Sequence, residues 1–120
     1  MEWKPDHKRP ICPQICEQMC VRVARGSLEP HSRLMSVRDL AVELGVNPNT
    51  VQRSFEQLEQ QGVLYSVPGT GWYVSEDTVV ARETVQALLR AKTEAFFGEM
   101  QGMGLTEEEI KQLVKEWEHE

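Results

Sequence analysis

Residues 36–53 read Ser36-Val37-Arg38-Asp39-Leu40-Ala41-Val42-Glu43-Leu44-Gly45-Val46-Asn47-Pro48-Asn49-Thr50-Val51-Gln52-Arg53, two helix starts separated by a glycine. Ser36 stands three residues before Asp39, the spacing at which a hydroxyl accepts from the third helical N–H. Val37, Leu40, Ala41 and Leu44 then recur on one face of a short helix. Gly45 ends it and permits the left-handed backbone of a tight turn. Asn47-Pro48 supplies an N-cap followed by proline at the first helical position, where a missing N–H costs little. The helix that follows is predicted to run to about Gln61, burying Val51, Phe55 and Leu58, with Gly62 closing it. Two short helices around a glycine-centred turn make a helix-turn-helix.

Upstream, Ile11, Ile15, Met19 and Val23 repeat every four residues between Pro10 and Arg25, opposite Gln14, Gln18, Arg22 and Arg25. This predicts an amphipathic first helix ended by Gly26, and Ser27 to Arg33 reads as a loop. Downstream, Val63–Val67 and Trp72–Ser75 read as strands joined by the turn Pro68-Gly69-Thr70-Gly71. The expected fold is mainly α with a small β-hairpin: a winged helix-turn-helix followed by two C-terminal helices. The first of these, after Asp77, carries Val85, Leu88, Leu89, Phe96 and Met100 on one stripe and is broken by Gly102 and Gly104. The second opens on the capping box Thr106-Glu107-Glu108-Glu109 and shows Ile110, Leu113, Val114 and Trp117 on one face.

The chain has 120 residues and a net charge of −6, which at first argues against nucleic acid. Its distribution matters more than the total. Residues 1–75 hold eight Lys/Arg and eight Asp/Glu, whereas residues 76–120 hold five and eleven, so the whole excess lies at the C-terminal end. The boundary is therefore placed near 76, giving a DNA-binding domain over 1–76 and a helical dimerisation segment over 77–120. No apolar run approaches the roughly 18–20 residues needed to span a bilayer. The N-terminus lacks a basic stretch followed by an apolar core, so the expectation is a cytoplasmic protein without membrane association.

No phosphate loop, metal-ligand spacing or nucleophile with a recognisable base is present, so neither an enzyme nor a cofactor is expected. Cys12, Cys16 and Cys20 lie at i, i+4, i+8 along one edge of the first helix. They can be read as a thiol or metal sensor, or as small hydrophobes packed in a core. The chain has only His7, His31 and His119 to complete a ligand set, and none adjoins the cysteines in sequence.

Arg33-Leu34-Met35-Ser36-Val37-Arg38-Asp39-Leu40-Ala41, followed by Leu44-Gly45-Val46-Asn47-Pro48-Asn49-Thr50-Val51, closely resembles the DNA-binding domain of the GntR family. Leu58-Glu59-Gln60-Gln61-Gly62-Val63-Leu64 and Gly69-Thr70-Gly71-Trp72-Tyr73-Val74 extend the resemblance, and Pro10-Ile11-Cys12-Pro13-Gln14-Ile15 is similar to that family's first helix. The chain departs from the family at Pro30-His31, where Pro-Gly is usual, and at Met35, where proline is common. The resemblance implies a transcriptional regulator that binds double-stranded DNA.

A recognition helix enters the major groove by its first turns, which puts Asn49, Thr50, Gln52 and Arg53 within reach of base edges. Asn and Gln suit adenine, and Arg suits guanine or phosphate. Arg38, from the family's Ser-x-Arg motif, and Ser36 are expected at DNA or its phosphates. Gly69 lets the wing approach the minor groove, with Thr70 and Gly71 behind it. Each has a plainer reading: Ser36 and Asn47 as caps, Arg38 as a solvated cation, Gln52 and Arg53 as partners of Glu56, the glycines as turn formers.

After the wing only about 44 residues remain, fewer than the large effector domains of that family, and the arrangement is similar to its short YtrA-type members. Leu89, Phe96, Phe97, Ile110, Leu113 and Trp117 are expected to pack against a second copy, because two short helices cannot bury this set alone. A C-terminal hairpin folded onto its own winged helix is the other possibility. The expectation is a homodimer, in the manner of a repressor, on an inverted-repeat operator, with any effector unknown. A thiol- or metal-responsive regulator acting through Cys12, Cys16 and Cys20, and a winged helix that binds protein, are the other readings.

Overall fold

The computed structural model describes residues 3–118, so His119 lies outside the described residues. The elements run α1 (Ile11–Ala24), α2 (Val37–Leu44), α3 (Pro48–Gln60), β1 (Leu64–Val67), β2 (Gly71–Val74), α4 (Val79–Gly102) and α5 (Glu107–Glu116). They form two compact units, one ending at Val85 and the other starting at Gln86.

In the first unit the capping chemistry acts as expected. The Asp39 N–H donates to Ser36 Oγ at 3.1 Å, and the Asn49 N–H donates to the Asn47 side chain at 2.8 Å. Gly45 between them has φ 68°, the left-handed conformation that turns the chain from α2 into α3. Ile15, Met19 and Val23 of α1, Leu40 and Leu44 of α2, and Val51, Phe55 and Leu58 of α3 meet in one core with Val63, Leu64 and Val74. Cys20 is part of that core. The start of α4 belongs to it as well: Ala81 is buried, and Val80 and Val85 pack against it. The compact unit thus runs past the change of charge near residue 76, because packing, not charge, determines where it ends.

β1 and β2 pair antiparallel with Leu64 opposite Val74, Tyr65 opposite Tyr73 and Ser66 opposite Trp72. The segment before α2, expected as a loop, adds a short outer edge to this hairpin. The His31 N–H donates to the Val74 carbonyl at 2.7 Å, Val74 N–H to the Ser32 carbonyl at 3.0 Å, and Leu34 N–H to the Trp72 carbonyl at 2.8 Å. Arg33 and Tyr73 form the bridge between them. The unpaired edge of β2 needs hydrogen-bond partners, and these residues supply them.

His31 stands where the resembled family has glycine, and its φ is 66°. A side chain there costs about 1–2 kcal/mol. Its ring Nδ1 lies 2.9 Å from the Tyr65 hydroxyl and the two rings meet in a T-shaped arrangement, contacts that offset the strain.

In the second unit both halves of the Thr106 box form: Glu109 N–H donates to Thr106 Oγ1 at 3.2 Å, and Thr106 N–H donates to Glu109 Oε1 at 2.9 Å. The Thr106 N–H, and after it the Thr106 hydroxyl, stabilise the carboxylate and hold Glu109 below its ordinary range. Ile110 was expected at a dimer surface. It is instead 0% exposed in the single chain and has no surface to offer. Among the described residues no helix is long and apolar enough to cross a membrane.

Candidate nucleic-acid interface

Helix α3 buries Val51, Ser54, Phe55 and Leu58 and exposes Asn49, Gln52 and Arg53 on its other side, with Thr50 half-buried at the margin. The division follows from the sequence: apolar residues at i, i+4, i+7 take the core, and the polar ones between them are turned outward. Ser54 is the buried polar exception, and its hydroxyl is satisfied by donating to the Thr50 carbonyl at 2.7 Å. Asn49 occupies the second position of α3, so its side chain projects from the helix start, where an entering helix meets base edges.

Arg38 occupies the second position of α2 and is exposed. Among the described residues no carboxylate lies within ion-pair distance of Arg38 or Arg53, so the pairing of Arg53 with Glu56 does not form. Two unpaired guanidinium groups are free to meet phosphate or guanine. The Ser36 hydroxyl serves as a cap through its oxygen, which leaves its proton available to donate.

The wing tip is a turn in which Thr70 N–H donates to the Val67 carbonyl at 2.9 Å, with Pro68 and Gly69 at its centre. Gly69 has φ 77°, as the third position of a type II turn requires. The turn is exposed throughout, and Gly69 leaves the backbone bare at one of its two central positions.

Helix and wing are tied at two points that composition and spacing did not reveal. Phe55 of α3 meets Trp72 of β2 edge to face, ring centres 5.6 Å apart. The Glu59 carboxylate accepts from Ser66 N–H at 3.2 Å and Ser66 Oγ at 2.8 Å. An aromatic in α3 and another in the second strand were the only sequence signal for such a tie. Tyr65 and Tyr73 stack across the hairpin at 5.5 Å and stiffen it further.

A helix with a polar leading edge, one arginine at the start of α2 and another in the second turn of α3, and an exposed wing turn suit the grooves of duplex DNA. The sequence model of the family described as "Bacterial regulatory proteins, gntR family" matches residues 13–74. The chain belongs to the GntR family. As a GntR regulator it is a DNA-binding protein and not an enzyme. The HTH-type transcriptional repressor YtrA of Bacillus subtilis is 34% identical over 110 residues, covering 92% of this chain and 72% of YtrA. A solved structure of a GntR family transcriptional regulator from Listeria monocytogenes matches with a TM-score of 0.82 and 36% identity, over 95% of this chain and 100% of that one. AraR(DBD), solved in complex with operator ORE1, matches with a TM-score of 0.54 and 28% identity over 56% of this chain and 82% of that one. Likeness to YtrA and to the Listeria protein extends beyond the wing into the C-terminal helices.

The cysteines of this GntR regulator are spread from core to margin. Cys20 is buried, whereas Cys12 and Cys16 are half-buried. The Cys12 thiol lies 3.5 Å from Gln57 Oε1, and Cys16 Sγ lies 3.6 Å from the Ser54 carbonyl. Burial pushes the Cys16 thiol up to about 12, with the neighbouring Cys12 and Cys20 adding to the rise, and burial also raises Cys20. Among the described residues no group of three His, Cys, Asp or Glu is placed to hold a metal ion. A thiol kept protonated is a poor nucleophile. In native protein at neutral pH, Cys16 and Cys20 should therefore resist a disulfide reagent and react only after unfolding. Prompt native reaction of more than one thiol would revive the sensor reading.

Proposed function

We propose that this GntR regulator acts in the cytoplasm as a homodimeric repressor on an inverted-repeat operator. The observation that carries the dimer is an apolar groove of about 490 Å³ in the second unit, lined by Phe96, Met100, Leu113, Val114 and Trp117. Phe96 is 40% exposed, Leu113 45%, Val114 54% and Trp117 71%. Leu89 is exposed on α4 two turns before Phe96, and Phe97, edge to face with Phe96, is half-buried. A concentration of exposed large apolar side chains on α4 and α5 is costly in water and marks an interaction surface. A second copy is the occupant we assign, because the same patch on both partners closes the assembly about a two-fold axis. The DNA-binding unit favours the same answer. With few cations per copy, and phosphate contacts dominating affinity, one copy binds weakly.

In this reading Asn49, Thr50, Gln52 and Arg53 enter the major groove, and Ser36 and Arg38 hold the flanking phosphates. The Gly69-Thr70-Gly71 tip lies in the minor groove. Phe96, Phe97, Leu89, Leu113 and Trp117 form the dimer contact, with Ile110 supporting from behind. Repression is supported by the likeness to the repressor YtrA.

Selection from random DNA followed by footprinting tests the arrangement. The expected site is an inverted repeat with half-sites roughly 10 base pairs apart, or a multiple of that spacing, each containing adenine and guanine. Minor-groove protection is expected beside each half-site. An asymmetric single site would defeat the two-fold model while leaving DNA binding intact.

A further inference from the structure

We infer that Arg33 is a DNA-backbone contact carried on the wing, binding a phosphate beside the groove that the wing tip enters. The inference rests on the interface proposed above. Residues 63–75, which make up the hairpin, contain no Lys, Arg, Asp or Glu. Charge reaches the hairpin from its neighbours. On β1, Glu59 places a carboxylate at Ser66, which repels phosphate. On the opposite edge Arg33 pairs with Tyr73, and its side chain runs back along β2 to lie against Gly71.

The approach is close. A Cβ at position 71 would lie 3.2 Å from Arg33 Nε and 3.5 Å from one terminal nitrogen, so the bare glycine lets the guanidinium rest on the strand. Gly71 also has φ 139°, a conformation that side chains rarely adopt, and it is this backbone that favours glycine there. Backbone pairing of residues 31–34 to β2 holds the base of this side chain, and the glycine surface orients its end toward the tip. Among the described residues no carboxylate lies within ion-pair distance of Arg33, which is exposed. A guanidinium with an open fork, positioned beside a turn that enters a groove, has the geometry for a phosphate. Arg33 thus supplies the positive charge that the hairpin's own sequence lacks.

The test uses the full chain with Arg33→Gln and Arg33→Lys. Two fluorescent duplexes of about three helical turns serve as probes, one of random sequence and one recovered by selection. Arg33→Gln should weaken both about tenfold and lower the slope of log affinity against log salt by about one per copy, with the circular dichroism melt unchanged. Arg33→Lys should restore the slope and most of the affinity. Native affinity and slope in Arg33→Gln would overturn the inference. Equal weakening by both variants with the slope unchanged would also overturn it, since Arg33 would then only support the wing. Failure of the native chain to bind either duplex would count against the interface itself, a result distinct from both.

Discussion

Placing glutamate at both Phe96 and Trp117 should convert the proposed homodimer to a monomer at micromolar concentrations. Both side chains line the apolar groove, and both are exposed in the single chain. Neither change therefore disturbs a buried core, whereas a change at the fully buried Ile110 would. In the dimer each glutamate would be buried against apolar partners without a counter-charge, a desolvation cost of several kcal/mol per ion. The C-terminal end is already rich in carboxylates, so added negative charge also increases repulsion between copies. Operator affinity should fall about 10²–10⁴-fold, because the second half-site is no longer held at high effective concentration. Sedimentation velocity with unchanged circular dichroism checks the first claim, and binding to the selected duplex the second. A native chain that sediments as a monomer would refute the assignment of this groove.

Arg38→Ala combined with Arg53→Ala should nearly abolish specific binding while leaving the fold intact. Both arginines are exposed and unpaired, so stability should change by less than about 0.5 kcal/mol. Each removed contact costs about 1–3 kcal/mol, and the proposed homodimer would lose it twice. The single variants should separate. Arg38→Ala weakens specific and random duplexes alike and flattens the salt dependence by about one unit per copy. Arg53→Ala, if the side chain meets a base, relaxes preference at one position of each half-site. Binding titrations across salt concentrations discriminate these outcomes. Unchanged binding by the pair would mean that another face meets DNA.

Local chemistry in the sequence was enough to locate the helices. Ser36, Asn47 and Thr106 cap within three residues of themselves, and Gly45 turns the chain on the spot, so these ends are legible without any tertiary contact. The polar face of α3 was legible for a similar reason, since a helical period assigns each residue a side. What escaped depends on partners distant in sequence. The outer edge at residues 31–34 exists only because β2 presents unpaired groups to it, and nothing in Ser27 to Arg33 announces a strand. Arg33 could not be recognised before its neighbour at Gly71 was known. Charge indicated a boundary near 76, yet Ala81 is drawn into the first core by packing that charge does not report. Ile110 shows the complementary limit. Periodicity placed it on the apolar face but could not say whether that face met its own chain or another.

The double tie between α3 and the hairpin, through Phe55 with Trp72 and Glu59 with Ser66, gives each copy a fixed gauge. The separation between the helix proposed to read a major groove and the tip proposed to probe the adjacent minor groove is then set before DNA arrives. A duplex must then conform to the protein, and the work of conforming differs between stiff and deformable base steps. Base pairs between the helix and the tip, touched by neither, will still influence affinity through their flexibility. Operators of this regulator should therefore share a groove width at those steps even where they share no letters.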